Sequence, residues 1–165
     1  MNAIDISTLV RFNAWANGRL LAACEQLPAD AFVQDAEPDP GWGSLRGILV
    51  HALDTEYGWR CVLQGLDADT ILHPTDFADV AALKARWAIE DAAWRDYVDH
   101  LERQKVDLGA GADEAGVGAI WHTILHVMIH SVQHRSEAAA ILTGHGFSPG
   151  DLDFDVFLKE GSGTA

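Results

Sequence analysis

Residues 121–135 read WHTILHVMIHSVQHR, and His122, His126, His130 and His134 recur every fourth position along them. Four-residue spacing is the signature of a helix, because residues i and i+4 stack on one face at about 3.6 residues per turn. The apolar residues Ile124, Val127, Met128, Ala138, Ile141 and Leu142 share the same periodicity, so the spacing predicts a helix from about Ala119 to Thr143, ended by Gly144 and Gly146. Laid out as a wheel, with Trp121, Leu125, Val132 and Ala139 in the apolar arc, this helix places His134 inside the arc and His130 at its edge. His126 and His122 drift toward the polar side, where Gln133, Ser136 and Glu137 lie. The reading for those two is support or exposure rather than ligation.

Cβ atoms four residues apart on a helix are about 5–6 Å from each other, close enough for two imidazoles to chelate one metal ion. His130 and His134 are the pair that also sits where another helix can supply a third ligand. That helix is SLRGILVHALDTEYGWRCVLQG, residues 44–65, which Ser44 caps and Gly65 stops. Its apolar face is Leu45, Ile48, Leu49, Ala52, Trp59 and Leu63, and His51 flanks that face. The candidate metal ligands are therefore His51, His130 and His134. Three imidazoles leave coordination positions open, the arrangement of catalytic rather than structural zinc. All-nitrogen ligation also suits nickel or iron, so the expected cofactor is a divalent ion: zinc, nickel or iron.

Two further helices complete the pattern. The first is expected from Ile6 to Leu27, capped by Asp5 or Ser7 and followed by Pro28. The third is expected from Phe77 to Gln104, with Trp87, Trp94 and Tyr97 at helical spacing. The connections at residues 28–44 and 66–76 carry turn and breaker residues, and 106–118 is flexible by composition with room for a short turn or hairpin. In the tail, DLDFDVFL (151–158) reads as one helical turn or an extended piece covering the bundle end, and 161–165 as disordered. No strand pattern is long enough for a sheet. The expectation is an all-α four-helix bundle formed by a single domain over residues 1–160.

The 165 residues are 48% hydrophobic and carry a formal charge of −14, with 25 acids against 11 lysines and arginines. That surface repels phosphate backbones and anionic membranes, so neither nucleic acid nor membrane is an expected partner. The N-terminus lacks a basic leader and apolar run, and no apolar stretch approaches the roughly 20 residues of a membrane span. Cys24 and Cys61 make no disulfide framework and read as buried small hydrophobes. The cytoplasm is the expected location.

Other polar residues have readings of their own. Glu56 falls on the apolar face of the second helix, where a carboxylate needs a partner; Asn13, Asn17 or Arg11 can supply an inter-helix hydrogen bond. Asp54, three residues beyond His51, can orient it but reads as exposed, and Trp42 can line a pocket mouth. His73, His100 and His145 are given no role.

Three segments carry a family resemblance. FNAWANGRLL (12–21), the second helix with His51, Glu56 and Trp59, and ILHVMIHSVQHRSEAAAILTGHGFSPGDLDFDVFL (124–158) together resemble the DinB/YfiT-like metalloenzyme family. The resemblance covers most of the chain and is weakest in the third helix and the 105–118 connection. It implies a four-helix bundle in up-down-down-up order, often dimeric, with a divalent metal on three histidines at the positions of His51, His130 and His134. Where the family often shows His-Arg-Gly-Gln, this chain has HRSE, so Ser136 and Glu137 stand in place of glycine and amide. Glu137, the only candidate for a catalytic role, either takes a proton from a ligand imidazole, acts as a general base, or is a solvated acid. The resemblance implies a small-molecule substrate, a low-molecular-weight thiol cosubstrate for S-transfer or isomerisation, and a homodimer. A metal-bound water would give hydrolysis instead, and a stress-related metal-binding bundle without turnover is the other reading.

Overall fold

The structure is a computed structural model; residues 1–37, 39–68, 70–110 and 118–161 are described. It is all-helical: α1 (Ala3–Cys24), α2 (Leu45–Gln64), α3 (Val80–Arg103), α4 (Ile120–Gly144) and α5 (Phe154–Gly161), with a 3-10 turn at Pro74–Asp76. Asp35 and Ser44 form an isolated antiparallel bridge.

Two core clusters give the topology. At one end Leu20, Leu21 and Cys24 of α1 meet Leu45 to Leu53 of α2, Leu83 and Trp87 of α3, and Ala138 and Leu142 of α4. At the other end Ile6 and Val10 of α1 meet Trp94 to Leu101 of α3 and Ile124 to Met128 of α4, with Trp59 and Leu63 of α2 against them. So α1 and α4 run one way and α2 and α3 the other, the up-down-down-up order. Parallel α2 and α3 need a return connection along about 30 Å of helix. Residues 65–79 supply it; Gly65 takes the left-handed conformation (φ 63°) that ends α2.

Several boundaries differ from the sequence expectation. Asn2, not Asp5 or Ser7, caps α1; its side chain accepts the Asp5 N–H while the Asp5 carboxylate accepts the Asn2 N–H, closing a capping box. The helix therefore starts earlier, and it ends at Cys24 rather than Leu27. Asp79 caps α3 at Val80, three residues later than expected, because Phe77 is held by the preceding 3-10 turn. Ser44 caps α2 as expected.

The tail forms the two-turn helix α5 and lies on the flank of α1, not over the bundle end. Phe154 and Phe157 pack on Phe12 and Trp15, and Glu160 accepts hydrogen bonds from Trp15 Nε1 (2.9 Å) and Arg19 (2.8 Å). Residues 162–165 of the expected disordered end, and 111–117 of the expected turn or hairpin, lie outside the described residues.

The buried face of α4 is also rotated from the wheel reading. Ser131 and Arg135 are buried, whereas Val132 is 44% and Ile129 60% exposed. The reason is a polar network at the bundle centre. Glu56 is fully buried, and its Oε1 accepts from Asn13 Nδ2 (2.7 Å), Asn17 Nδ2 (3.1 Å) and Ser131 Oγ (2.8 Å), while Oε2 accepts from Trp87 Nε1 (3.0 Å). Arg135 donates to Asn13 Oδ1 and, at 2.9 Å, to Asn17 Oδ1. One carboxylate thus joins all four long helices. Each polar group is satisfied only at one helix rotation, which makes the network a registry device. Asn13 and Asn17 were expected partners; Arg11 is exposed and takes no part.

Candidate metal centre

The network sets the rotation of α2 against α4, and that rotation brings three imidazoles together. His51 lies one and a half turns before Glu56 on α2, and His130 and His134 flank Ser131 on α4. His130 Nε2 is 3.1 Å from His51 Nε2 and 3.1 Å from His134 Nε2. The three candidate ligand atoms all lie within 4.8 Å of one another, so this group can hold a metal ion. Zinc–nitrogen bonds of about 2.0–2.1 Å in tetrahedral geometry set nitrogens about 3.3 Å apart.

The hydrogen bonding fits a cation better than protons. His134 Nδ1 lies 2.7 Å from Glu137 Oε2, which suits an N–H donated to the carboxylate and leaves the Nε2 lone pair directed at the cluster. His130 Nε2 has a single in-plane position for a hydrogen or a lone pair, yet two nitrogens stand 3.1 Å from it. A single hydrogen on that nitrogen points squarely at only one of its two neighbours, whereas a cation among the three rings can accept a lone pair from each. Nδ1 of His130 is buried without a hydrogen-bond partner among the described residues.

Burial and the neighbouring rings favour the neutral forms of His130 and His51. Burial first, then the neighbouring His134, His51 and His126 rings, push His130 down to about 4. Burial and His134 likewise lower His51. A neutral imidazole presents the lone pair that a metal needs.

The remaining candidates sort by position. Glu137 also accepts from Gln133 Nε2 (3.2 Å), so both of its oxygens are engaged by α4 side chains. His126 is exposed; its ring stands 5.9 Å from that of His130 and edge-on to Trp59. His122 is exposed and packs on Trp121. His73, His100 and His145 are exposed. Asp54 is half-buried and its Oδ1 accepts the Leu72 N–H at 2.8 Å, so it anchors the α2–α3 connection. Cys24 and Cys61 are buried free thiols, and burial pushes Cys24 up to about 12.

Trp42 lies flat against His51, with centroids 3.5 Å apart and planes at 13°, and edge-on to His134 at 5.9 Å. Two openings flank the centre. One of about 160 Å³ is bounded by Trp42, Val50, His51 and Leu72. The other, about 510 Å³, runs from Glu137 past Ile141 and His145 to Asp35 and Glu37. No helix among the described residues is long and apolar enough to cross a membrane.

The chain is 19% identical to Protein DinB of Bacillus subtilis (strain 168) over 159 residues, covering 91% of each protein. The family model described as DinB family matches residues 1–161, nearly the whole length, and the chain belongs to that family.

Proposed function

We propose that this protein is a divalent-metal-dependent enzyme acting on a small molecule, with His51, His130 and His134 as the ligands. The observation that carries the reading is the approach of two Nε2 atoms to a third at 3.1 Å each, in a group whose three ligand atoms all lie within 4.8 Å of one another. A zinc, nickel or iron ion with three protein ligands keeps a position for an exogenous ligand, stabilising a thiolate or lowering the pKa of water. Thiol-linked S-transfer or isomerisation, with a low-molecular-weight thiol as cosubstrate, is the first reaction class, and hydrolysis the second.

The chain's own contribution is positional. Glu137 holds His134 by Nδ1, and the α1–α4 polar network holds the helices in register. Trp42 covers His51, and the 510 Å³ cleft beside Glu137 gives room for a small substrate. Glu137 is spoken for by His134 and Gln133 and acts through the ligand rather than as a free base. A homodimer is the proposed assembly, supported by the exposed Ile129 and Val132 on the outer side of α4. Two free buried thiols suit the cytoplasm.

Metal analysis of untagged protein tests the ligand set: near-stoichiometric metal that disappears in His130→Ala is expected, and a metal-free wild type overturns it. Metal-loaded protein is then screened against thiol–electrophile pairs, followed by esters and amides. Turnover that requires both metal and thiol is expected. Stoichiometric metal with no turnover across the screen would leave a non-catalytic metal-binding bundle.

A further inference from the structure

The three candidate ligands are held in different ways, and the difference singles out Trp42. A metal-bound histidine usually donates its second ring N–H to an oxygen that fixes its orientation. His134 does so: Glu137, three residues on, accepts from Nδ1 at 2.7 Å. His51 also has an acid three residues on, but Asp54 Oδ1 is taken by the Leu72 N–H. No hydrogen bond joins His51 Nδ1 to any described residue. What contacts the His51 ring instead is the Trp42 indole, stacked 3.5 Å away between centroids and nearly parallel at 13°.

The loop under Trp42 is built to keep it there. Asp39 Oδ1 accepts three consecutive backbone N–H groups, from Gly41 (2.8 Å), Trp42 (3.0 Å) and Gly43 (2.9 Å), and these bonds hold the Asp39 carboxyl below its ordinary range. Gly41 and Gly43 on either side have φ of 105° and 74°, conformations that other residues resist. The Trp42 carbonyl accepts the Ser44 N–H at 2.9 Å and presses on the first turn of α2 where a Cβ on Gly47 would lie 1.9 Å away. An acid and three glycines thus fix the backbone of a tryptophan that is itself 41% exposed. Core packing does not explain an indole with that much surface in water. Contact with His51 does.

We propose that Trp42 is the positioning residue for His51, its indole face doing for this ligand what the Glu137 carboxylate does for His134. The inference rests on the three-histidine metal reading above. It makes the 39–44 loop part of the metal centre, so that loosening the loop weakens metal binding chiefly through His51, on which the indole lies flat.

The test uses the full-length, metal-stripped protein titrated with Co²⁺. Trp42→Leu keeps an apolar side chain and removes the flat aromatic face. Its Co²⁺ affinity is expected to fall about three- to tenfold, the range of an aromatic stacking contact, while Trp42→Phe stays close to wild type. Asp39→Ala keeps the tryptophan but frees the three N–H groups that fix its backbone, so the indole loosens from His51 and Co²⁺ binding is expected to weaken in the same direction. Trp42 also supplies a spectroscopic readout. Co²⁺ is expected to quench wild-type and Trp59→Phe fluorescence, and the quench is expected to be largely lost in Trp42→Phe, which still binds the ion. Folded Trp42→Leu and Asp39→Ala proteins that bind Co²⁺ as tightly as wild type overturn the role of Trp42 and leave the metal centre standing. A folded wild type that binds no Co²⁺ overturns both.

Discussion

Ser131 Oγ donates a 2.8 Å hydrogen bond to Glu56 Oε1, tying the residue that follows His130 to a carboxylate on the helix that carries His51. The bond fixes how far α4 can turn against α2. A rotation by one residue, about 100°, would carry His130 and His134 away from His51. The registry network and the three-histidine cluster are therefore mechanically joined, although no network residue belongs to the cluster.

Glu56→Ala tests that link. It leaves Asn13, Asn17, Ser131 and Trp87 donors without their acceptor and the Arg135 guanidinium without the nearby carboxylate. Removing one partner from a buried charged network costs about 3–5 kcal/mol. Urea unfolding of the metal-free protein is expected to show a loss of that size, with weaker metal binding in whatever remains folded. A loss below about 1 kcal/mol would show that the helices find their register without it.

Glu137→Ala removes the acceptor of the His134 Nδ1–H. Charge is removed from a half-buried position at little cost in packing, so the urea midpoint of the metal-free protein is expected to stay near wild type. Metal affinity is expected to fall about 10–100-fold, the usual effect of replacing the partner of a ligand histidine. Competition with a chromophoric chelator measures it. An unchanged affinity would mean that the carboxylate is a surface acid that merely touches the ring.

The convergence of His51, His130 and His134 was legible because two local signals coincided: an i,i+4 histidine pair on α4, and a histidine flanking the apolar face of α2. What the sequence hid was the rotation of α4. Its buried face includes Ser131 and Arg135, while Val132 and Ile129 point outward, so hydrophobicity alone turns the wheel the wrong way. Polar residues earn burial only through partners on other helices, and those partners are set by tertiary structure. The same holds for Trp42, whose reading as a pocket-mouth residue gave no hint that it lies flat on His51. The Asn2 cap escaped notice because Asp5, read as the cap itself, is the reciprocal member of the capping box. The fate of Phe154 and Phe157 depended on a surface of α1 that no local pattern announces.

Gly47→Ala is expected to disturb the metal centre from the first turn of α2. The new methyl would meet the Trp42 carbonyl oxygen at 1.9 Å, so backbone has to move. Overpacking of this kind costs about 1–3 kcal/mol. Gly58→Ala on the same helix is the control: nothing lies within 4 Å of a Cβ there, and replacing a helical glycine by alanine is expected to be neutral or to stabilise by up to about 1 kcal/mol. Thermal unfolding of the two variants should therefore shift in opposite directions, or only the first should shift.

Asp91 makes stability depend on pH in a direction opposite to that of a salt-bridged acid. Burial, and after it the nearby Glu56, raises its carboxyl from 3.8 to about 7, with Arg95 opposing and Glu90 adding to the rise. In the unfolded chain the group loses its proton near 4, so between about pH 4 and pH 7 the folded state binds the extra proton. Above pH 7 the folded protein carries a charge that its surroundings disfavour, and that penalty is relieved as the pH falls through 7. Asp91→Asn removes the titration while keeping the shape. The variant is expected to be more stable than wild type at pH 8, with the advantage shrinking through pH 6 and gone near pH 4. Urea denaturation of both proteins at those three values checks the sign, and an advantage for the variant that grows toward low pH would show that Asp91 is held ionised in the fold.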